Sequence, residues 1–386
     1  MVSTSPRPAV RWETARAGTF NSTLLESDSL EAREMLAAQP SRFAELHRRE
    51  YRLLQLIQRA PGLRPVSLAV HYSLLPKVIT PLLSLIVWLA SLPIGASLIC
   101  FVCANDCVNT AVKWAVQRPR PRWYSADASS YLVETCGAWE VDLSFPSAHT
   151  MFFSGMAFCA TALCGGPVLP ALLIGALIGL TRNFLTMHWP TDTLAGLCLG
   201  GLTGILWGRH DPYAYLLRAQ SPLLSLLAAT GFTTGLLCLM VASRQAVQPV
   251  TSQERSLWFA NALQSLTPDE REAVLADPRR RLKPRNLKSK VPMLVTVWCT
   301  LAITGIYPLL LPDAIMQPSG DLRRRLLQTL IGLVGLGGVG RLKNSVAIGK
   351  SWNDKERGYL KALTYVALCA WTFVGSQLAA KALLGA

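Results

Sequence analysis

Long apolar runs recur along this chain and favour a helical membrane protein over any soluble fold. A helix that crosses the bilayer core needs about 20 mostly apolar residues, and 51% of the 386 residues are hydrophobic while only 16% are charged. We predict an all-α, multi-pass transmembrane helical bundle of about eight or nine spans. The candidate spans are residues 72–90, 93–112, 149–165, 168–184, 192–208, 221–242, 291–311, 326–342 and 361–383.

The charge of the chain indicates membrane partners. The formal net charge is +15, and the basic residues cluster beside the predicted spans, as expected from the positive-inside rule and from attraction to anionic headgroups. No nucleic-acid fold signature accompanies them, so no nucleic-acid partner is expected. The densest cluster lies at the end of the polar loop 243–290, where we expect contact with anionic lipids.

The sequence divides into three regions. Residues 1–64 form a polar N-terminal region, residues 65–210 a core that carries the polar motifs, and residues 211–386 a C-terminal membrane region. Within the first region, residues 41–60 place apolar side chains near one helical face and arginines mostly around the other. This pattern predicts an amphipathic helix in the membrane interface. A helix packed on another soluble segment is the alternative.

His188 and Asp192 flank a proline in a pattern that suits phosphate chemistry. If Pro190 occupies the first turn of a helix, the Asp192 carboxylate can accept the proton of one imidazole nitrogen, which leaves the other free to attack phosphorus. The helix N-terminus would also stabilise an anionic phosphoryl group. A structural histidine–aspartate pair at a membrane interface is the alternative interpretation.

A second histidine lies in a turn that opens another apolar run. Ser147 and the backbone N–H groups of this helix start would form a cradle for an anion. His149, two residues further on, is placed to protonate a leaving alkoxide. A polar histidine with satisfied hydrogen bonds is the alternative for His149.

Cations follow the same helix ends. Arg182 offers forked donors to phosphate oxygens, although it could also extend to the membrane surface. Lys113 and Arg120 would balance the charge of a transferring phosphoryl group. Alternatively, they are orienting charges, which set the orientation of the protein in the membrane. We interpret Arg118 and Arg122 as orienting charges rather than site residues.

Together, the three segments resemble the type 2 phosphatidic acid phosphatase superfamily, which includes the vanadium haloperoxidases. The family pattern is K-x6-R-P, then P-S-G-H, then S-R-x5-H-x3-D. In this chain it reads Lys113-x6-Arg120-Pro121, Pro146-Ser147-Ala148-His149 and Thr181-Arg182-x5-His188-x3-Asp192. The chain departs from the pattern at Ala148, which replaces glycine and disfavours positive φ, and at Thr181, which replaces serine.

The resemblance implies a metal-independent lipid phosphate phosphatase, without a cofactor, that acts on a phosphomonoester or diphosphate of a lipid through a phosphohistidine. His188 would be the nucleophile, Asp192 its orienting partner and His149 the acid for the leaving group. The implied phosphate-binding groups are Lys113, Arg120, Ser147, Arg182 and the backbone N–H of Ala148. The arrangement of the motifs looks most similar to the sphingosine 1-phosphate phosphatase branch.

Two other functions fit the same sequence. A lipid phosphotransferase would use the same site, whereas a catalytically silent membrane interaction protein should have lost His149, His188 or Asp192. Haloperoxidase chemistry is disfavoured because those relatives are soluble.

The span count puts the three motifs on the face with most other cations, which predicts a cytoplasm-facing site. In a eukaryote we expect the endoplasmic reticulum or another endomembrane.

The sequence also contains glycine pairs four residues apart inside apolar runs. Gly175 and Gly179 form one pair, and Gly196 and Gly200 form another. Small residues at this spacing let two helix backbones approach closely. We predict that both pairs are helix contacts.

Overall fold

The computed structural model describes only part of the chain. The described residues are 44–73, 85, 92–124, 141–264, 266, 268–276, 287–310, 326, 329–335, 338–339, 341, 360, 363–364, 366–375, 378–379 and 382. From Glu45 onward they belong to one compact unit.

Helices account for the regular structure of these residues, among which there is no β-strand. The N-terminal helices are α1 (Ala44–Gln58), α2 (Leu63–Ser73), α3 (Leu92–Val116) and the short α4 (Pro121–Tyr124). The central helices are α5 (Ala148–Cys164), α6 (Val168–Phe184) and α7 (Pro190–His210). The C-terminal helices are α8 (Pro212–Ala219), α9 (Pro222–Gln245), α10 (Ser252–Gln264), α11 (Pro268–Ala276) and α12 (Val291–Leu310).

The helix bounds follow the predicted spans closely where the structure describes them. The helical fold is therefore confirmed, and α6 spans the same residues as its predicted segment. Within the described part of the chain, Pro93–Tyr124 and Pro222–Gln245 are long and apolar enough to cross a membrane, and shorter apolar helices lie at Ala148–Cys164, Val168–Phe184 and Val291–Gly305. Of the predicted span 72–90 only residues 72, 73 and 85 are described, whereas the predicted spans 326–342 and 361–383 are described with gaps, and each of their described residues is helical. The count of eight or nine spans stays a prediction.

Helices α5 and α7 pack in parallel along a stripe of glycines. A Cβ added to Gly196 would lie 2.8 Å from the carbonyl oxygen of Ser147, and one added to Gly208 would lie 2.6 Å from the Cβ of Ala162. Between them, Gly200 and Gly204 lie directly against the backbone of α5. Since both helices begin at the same end of this contact, their N-termini lie side by side. The predicted glycine contact of α7 is confirmed.

The glycines of α6 face the same assembly. A Cβ at Gly179 would lie 3.2 Å from the Thr193 side chain, and one at Gly175 would overlap the Leu197 side chain. Helix α6 therefore packs on α7 through small residues, as predicted. Three successive apolar segments thereby form one tight unit around the polar motifs.

A second core joins α3 to the C-terminal helices. Side chains of α3 pack against α9 and α12 in a buried apolar cluster that includes Trp114, Met240 and Val297. Lys290 adds an ion pair to this contact, with its Nζ 2.9 Å from Oδ2 of Asp106 in α3. Helix α3 thus connects the central helices to the C-terminal region.

The polar loop 243–290 packs in part on the segment that follows α3. The Asn261 side chain of α10 donates a hydrogen bond to the carbonyl oxygen of Trp123 at 3.0 Å. The rings of Trp123 and Trp258 stack with centroids 6.0 Å apart. The predicted lipid contact rests on seven cations, of which Arg279, Arg280, Arg281, Lys283 and Arg285 lie outside the described residues. The other two are Lys288 and Lys290, and Lys290 pairs with Asp106.

Candidate active site

The two cations of the first motif bind the backbone just before the second motif. Lys113 Nζ donates to the carbonyl oxygens of Leu143 and Ser144. Arg120 Nε donates to the carbonyl oxygen of Asp142 at 2.7 Å. The Lys113 and Arg120 side chains are both buried. Their contacts draw the chain at residues 142–144 towards the end of α3.

Ser147 begins α5 and ties it to α7. The Ser147 hydroxyl accepts hydrogen bonds from the N–H of Thr150 at 3.4 Å and from its hydroxyl at 3.0 Å. The Ser147 N–H donates to the carbonyl oxygen of Asp192 at 2.9 Å. The second and third motifs therefore meet at the paired N-termini of α5 and α7, where exposed backbone donors and the helix dipoles favour an anion.

Ala148 and His149 occupy the first turn of α5. Ala148 is the first helical residue, and its φ is not positive. The alanine at this family glycine position therefore causes no backbone strain, which removes the main objection to it. His149 follows in the same turn and is half-buried.

The His188–Asp192 segment begins α7 as predicted. Pro190 is the first residue of the helix, and the Asp192 Oδ2 accepts the N–H of Trp189 at 2.9 Å, which caps the helix start. The Trp189 ring is buried, and its Nε1 donates to the carbonyl oxygen of Pro119 at 2.8 Å. The third motif is thereby fixed against the segment that links Lys113 to Arg120.

The His188 ring lies between a carboxylate and a guanidinium. Its Nδ1 is 3.7 Å from Asp192 Oδ2, and its Nε2 is 3.4 Å from Arg120 Nη1. The Ser144 hydroxyl lies 3.4 Å from the same Nδ1 and donates to Asp192 Oδ2. The expected pair is present, but a serine hydroxyl is inserted beside the carboxylate and the direct distance exceeds an ordinary hydrogen bond.

Arg182 is fully buried and lies next to the residue that precedes His188. Its Nη1 is 3.0 Å from His71 Nδ1 of α2 and 3.5 Å from the sulfur of Met187. The Met187 carbonyl oxygen in turn accepts from Arg120 Nη1 at 2.8 Å. The two predicted phosphate-binding arginines therefore meet at Met187. The Thr181 hydroxyl, in contrast, donates to Ile178 of its own helix.

Arg118 is part of this cluster, so its interpretation as an orienting charge is wrong. Its side chain is only 2% exposed, and its Nη1 lies 2.8 Å from Asp192 Oδ1. Its Nη2 pairs with Glu50 of α1, and its Nε donates to His47 Nε2 at 3.0 Å. A cation that only orients the protein in the membrane would lie at the membrane surface. Arg118 is instead buried and is a counter-ion of Asp192, the carboxylate that is predicted to orient His188.

Arg122 has a smaller role at the edge of the cluster. Its Nε donates to the Thr186 hydroxyl at 2.8 Å. Thr186 adopts a positive φ of 54° in the short connection between α6 and α7. Arg122 therefore helps to hold the connection that carries His188, which an orienting charge alone would not do.

Helix α1 packs on the site with one face, which agrees with the alternative that we considered for residues 41–60. His47, Glu50 and Leu54 are buried, while Leu46 and Leu53 are exposed. The location of the exposed face in a membrane interface stays a prediction.

Sequence reasoning missed four residues of the site. Arg118 was dismissed because a cation beside an apolar run has an ordinary explanation. Ser144 and Glu50 belong to no motif, and His71 lies 111 residues from Arg182. No sequence signal separates Arg118 and Glu50 from surface charges. Only their burial in the structure shows that they are paired, because charged side chains are rarely buried without a partner. Among the described residues, no group of three or more His, Cys, Asp or Glu side chains could hold a metal ion.

The fold brings two histidines, a carboxylate and several buried cations to the paired N-termini of α5 and α7, an arrangement that suits phosphate chemistry. Residues 94–215 match the protein-family model of the PAP2 superfamily. The chain therefore contains a PAP2 superfamily domain, and the resemblance drawn from the motifs is confirmed. The narrower resemblance to the sphingosine 1-phosphate phosphatase branch is not confirmed.

Two curated relatives carry phosphatase names. The putative undecaprenyl-diphosphatase YbjG of Escherichia coli (strain K12) is 29% identical over 161 residues, which cover 40% of this chain and 78% of the relative. Glucose-6-phosphatase 3 of Rattus norvegicus is 28% identical over 208 residues, which cover 47% of this chain and 60% of that relative. No solved structure matches the chain significantly.

Proposed function

We propose that this protein is an integral-membrane phosphatase that hydrolyses a phosphomonoester or diphosphate of a lipid through a phosphohistidine, without a metal. The observation that supports it best is the placement of His188 between Asp192 and Arg120, where α5 and α7 begin. Exposed leucines along α6 and α9, such as Leu169 and Leu227, favour a membrane protein and hence a lipid substrate.

His188 attacks phosphorus in the first step. Because Nδ1 faces Asp192 and Ser144, the lone pair for attack lies on Nε2. A bond forms between Nε2 and phosphorus while the bond from phosphorus to the leaving oxygen breaks. The leaving oxygen is the lipid oxygen of a phosphomonoester or the bridging oxygen of a diphosphate. His149 gives its proton to the leaving oxygen. In the second step His149 takes a proton from water, whose oxygen displaces His188 and releases inorganic phosphate.

The cations bind the equatorial phosphate oxygens. Arg120 Nη1 is next to the attacking nitrogen, so a phosphoryl group on His188 would contact it directly. Lys113, Arg182, Ser147 and the backbone N–H of Ala148 supply the further positive charge and donors that the resemblance implies. Such fixed donors lower the barrier because they oppose the charge that develops in the transition state.

The test is phosphate release from a lipid phosphate by the full-length protein in detergent, with EDTA and without added Mg²⁺. Wild type should release phosphate, and His188→Ala should abolish release. His210→Ala is the matched control, because His210 is an exposed histidine at the far end of α7. Full activity of His188→Ala would contradict the assignment of the nucleophile, and activity lost with EDTA would contradict metal independence.

The choice of substrates separates the remaining possibilities. Phosphatidate, sphingosine 1-phosphate, isoprenyl phosphates and diphosphates and glucose 6-phosphate should be compared in the same assay. A phosphotransferase would consume a second lipid alcohol instead of releasing phosphate, and a silent protein would turn over none of them.

We further propose that the site faces the cytoplasm, with the basic end of the loop 243–290 on anionic headgroups.

A further inference from the structure

A carboxylate outside the matched domain makes direct contact with the start of α7. Glu50 lies on α1, 44 residues before the PAP2 segment begins at residue 94. Its Oε1 accepts hydrogen bonds from the N–H and the hydroxyl of Thr191, at 2.7 and 2.6 Å. Its Oε2 pairs with Arg118 Nη2. The carboxylate therefore contacts both the first turn of α7 and the counter-ion of Asp192.

Arg118 carries this contact to the His188–Asp192 pair. Its Nη1 donates to the Thr191 hydroxyl at 2.7 Å and to Asp192 Oδ1 at 2.8 Å. The opposite oxygen of Asp192 faces His188 Nδ1. One guanidinium thus connects two carboxylates, and the second of these orients the nucleophile.

His47 completes the surroundings of Arg118 with a neutral acceptor. Burial and the nearby Arg118 lower the pKa of His47 to about 3, so its ring is uncharged at neutral pH. The His47 Nε2 can therefore accept the hydrogen bond that Arg118 Nε donates. The ring stacks on Trp189, with centroids 4.4 Å apart and an interplanar angle of 11°. Arg118 is therefore held on three sides, by His47, by Glu50 and by the start of α7.

Buried ions of this kind require complete pairing. The Arg118 and Glu50 side chains are 2% and 5% exposed, and Asp192 is fully buried. Removing one member of a buried ion network leaves the others without compensation and changes their geometry. If Glu50 were neutral, Asp192 would be the remaining carboxylate in contact with Arg118, and the guanidinium would compete more strongly with His188 for it.

We propose that Glu50 of α1 is a positioning residue for the reaction: through Arg118 and Thr191 it fixes Asp192, and thereby the His188 ring, in the orientation for attack. The N-terminal helix then completes an active site whose motifs all lie in the PAP2 domain. This inference rests on the proposed function, since it assigns His188 as the nucleophile.

The primary test follows the His188 ring itself by histidine NMR across a pH series, with full-length protein in detergent. The His188 signal is assigned by its loss in His188→Ala. The variants are E50Q, which keeps the shape of Glu50 without its charge, R118M, the double variant E50Q/R118M, and E45Q as control. Glu45 is on the same helix but exposed, where it pairs with Arg48 and Arg49.

The titrating and charged groups around His188 come from every packed element. Asp192, Arg120 and the Ser144 hydroxyl face the ring directly. The further charged or titratable groups of the site are Lys113, Arg118, His149, Arg182, Glu50, His47 and His71. Because the variants change only Glu50 and Arg118, every protein in the comparison has the same set of other titratable groups.

Opposite charges should shift the His188 titration in opposite directions. Loss of the Glu50 negative charge disfavours imidazolium and should lower the midpoint by about half a pH unit to one unit, while loss of Arg118 should raise it by a similar amount. The His188 titration midpoint of the double variant should be close to that of wild type, and the midpoint of E45Q should equal that of wild type. Identical behaviour of E50Q and E45Q, or shifts of one sign in E50Q and R118M, would overturn the proposal.

Activity supplies the second readout. E50Q should lower kcat about tenfold, as expected for loss of one charge-assisted hydrogen bond, with little change in KM. Because Glu50 acts chiefly through Arg118, with Thr191 as the lesser contact, the double variant should be little slower than R118M alone, and fully additive losses would overturn the proposal. This comparison also applies if E50Q alone does not fold. A wild type that releases no phosphate would refute the proposed function, while the NMR titration would still decide the role of Glu50.

Discussion

Both oxygens of the Asp192 carboxylate are engaged by neighbouring groups of the site. One carboxylate oxygen accepts from Arg118, and the other accepts from the Trp189 N–H and the Ser144 hydroxyl while facing His188. The carboxylate therefore caps α7, neutralises a buried cation and orients the histidine at once. Ser144 has a particular position, because its hydroxyl touches the carboxylate on the side of the ring.

Ser144→Ala should lower kcat about tenfold and leave KM almost unchanged. The hydroxyl fixes the Asp192 oxygen that faces His188, and a charged acceptor that loses one donor loses roughly 1.5–3 kcal/mol of interaction. The measurement is steady-state phosphate release from the best lipid substrate, together with thermal unfolding in detergent.

Ser154→Ala is the matched control for this serine. Ser154 is also buried, but its hydroxyl donates to the Thr150 carbonyl oxygen of its own helix at 2.6 Å. It should keep kcat within about twofold of wild type, because no group of the His188–Asp192 pair is touched. Equal losses in both variants would mean that Ser144 acts through packing alone.

The residues of this site differ in how far sequence could predict them. The His188–Asp192 pair and Pro190 were accessible because a helix start imposes a local rule on spacing. Ser144 and Glu50 were not, because their contacts join residues 48 and 68 positions apart. Arg118 stands two residues before the motif arginine Arg120, and charge alone does not separate a buried counter-ion from an orienting cation.

At the level of elements, the contact between α5 and α7 sets the geometry of the site. The two N-termini lie together because glycines at positions 196, 200, 204 and 208 allow the helix backbones to touch. This contact also permits the hydrogen bond from the Ser147 N–H to the Asp192 carbonyl oxygen. A wider helix pair would separate the helix start that carries His149 from the helix start that carries Asp192.

Gly204→Ala should destabilise the protein by about 1–3 kcal/mol, the usual effect of overpacking. The added methyl group would overlap the carbonyl oxygen of Gly155, which belongs to the α5 backbone and cannot rotate away. The midpoint of thermal unfolding should fall, and kcat should fall with it as the two N-termini move apart.

Gly231→Ala on α9 separates this effect from the general cost of changing a helical glycine. No atom lies within 4 Å of a Cβ at that position, and alanine favours the helix by up to about 1 kcal/mol. Its unfolding midpoint should equal or exceed that of wild type. A Gly204→Ala protein as stable as Gly231→Ala would contradict the close backbone contact.

The sequence predicts where a helix begins and ends better than it predicts which helices pack together. The apolar runs ended at prolines and polar residues, so α6, α9 and α12 began close to their predicted positions. The glycine spacing predicted that helices touch but not which helices. Which helix packs on α7 depends on how well the side chains of the two helices fit together along their whole length. A single sequence does not show that fit directly.

At the level of the whole molecule, the C-terminal region is attached to the PAP2 domain through α3. Lys290 at the start of α12 pairs with Asp106 near the middle of α3, and the two side chains are 19% and 23% exposed. Burial alone would lower the pKa of Lys290, but the Asp106 carboxylate raises it above its ordinary value. Lys290 is therefore positively charged at neutral pH, and its ion pair with Asp106 links the two parts of the molecule.

Asp106→Asn should lower the stability of the protein by about 1–3 kcal/mol, because it leaves the Lys290 cation partly buried without a counter-ion. The loss should appear as a lower thermal midpoint in detergent and as faster proteolysis in the loop that precedes α12. Phosphate release at low temperature should change little, since neither residue touches the His188 cluster.

The double variant Asp106→Asn with Lys290→Met decides between a pairing role and a packing role. It removes both charges, so it should be more stable than Asp106→Asn alone, which is the behaviour of partners in one buried ion pair. Additive destabilisation would mean that the two residues act independently. The C-terminal region would then be held to α3 by the apolar contacts of Trp114, Met240 and Val297 rather than by this pair.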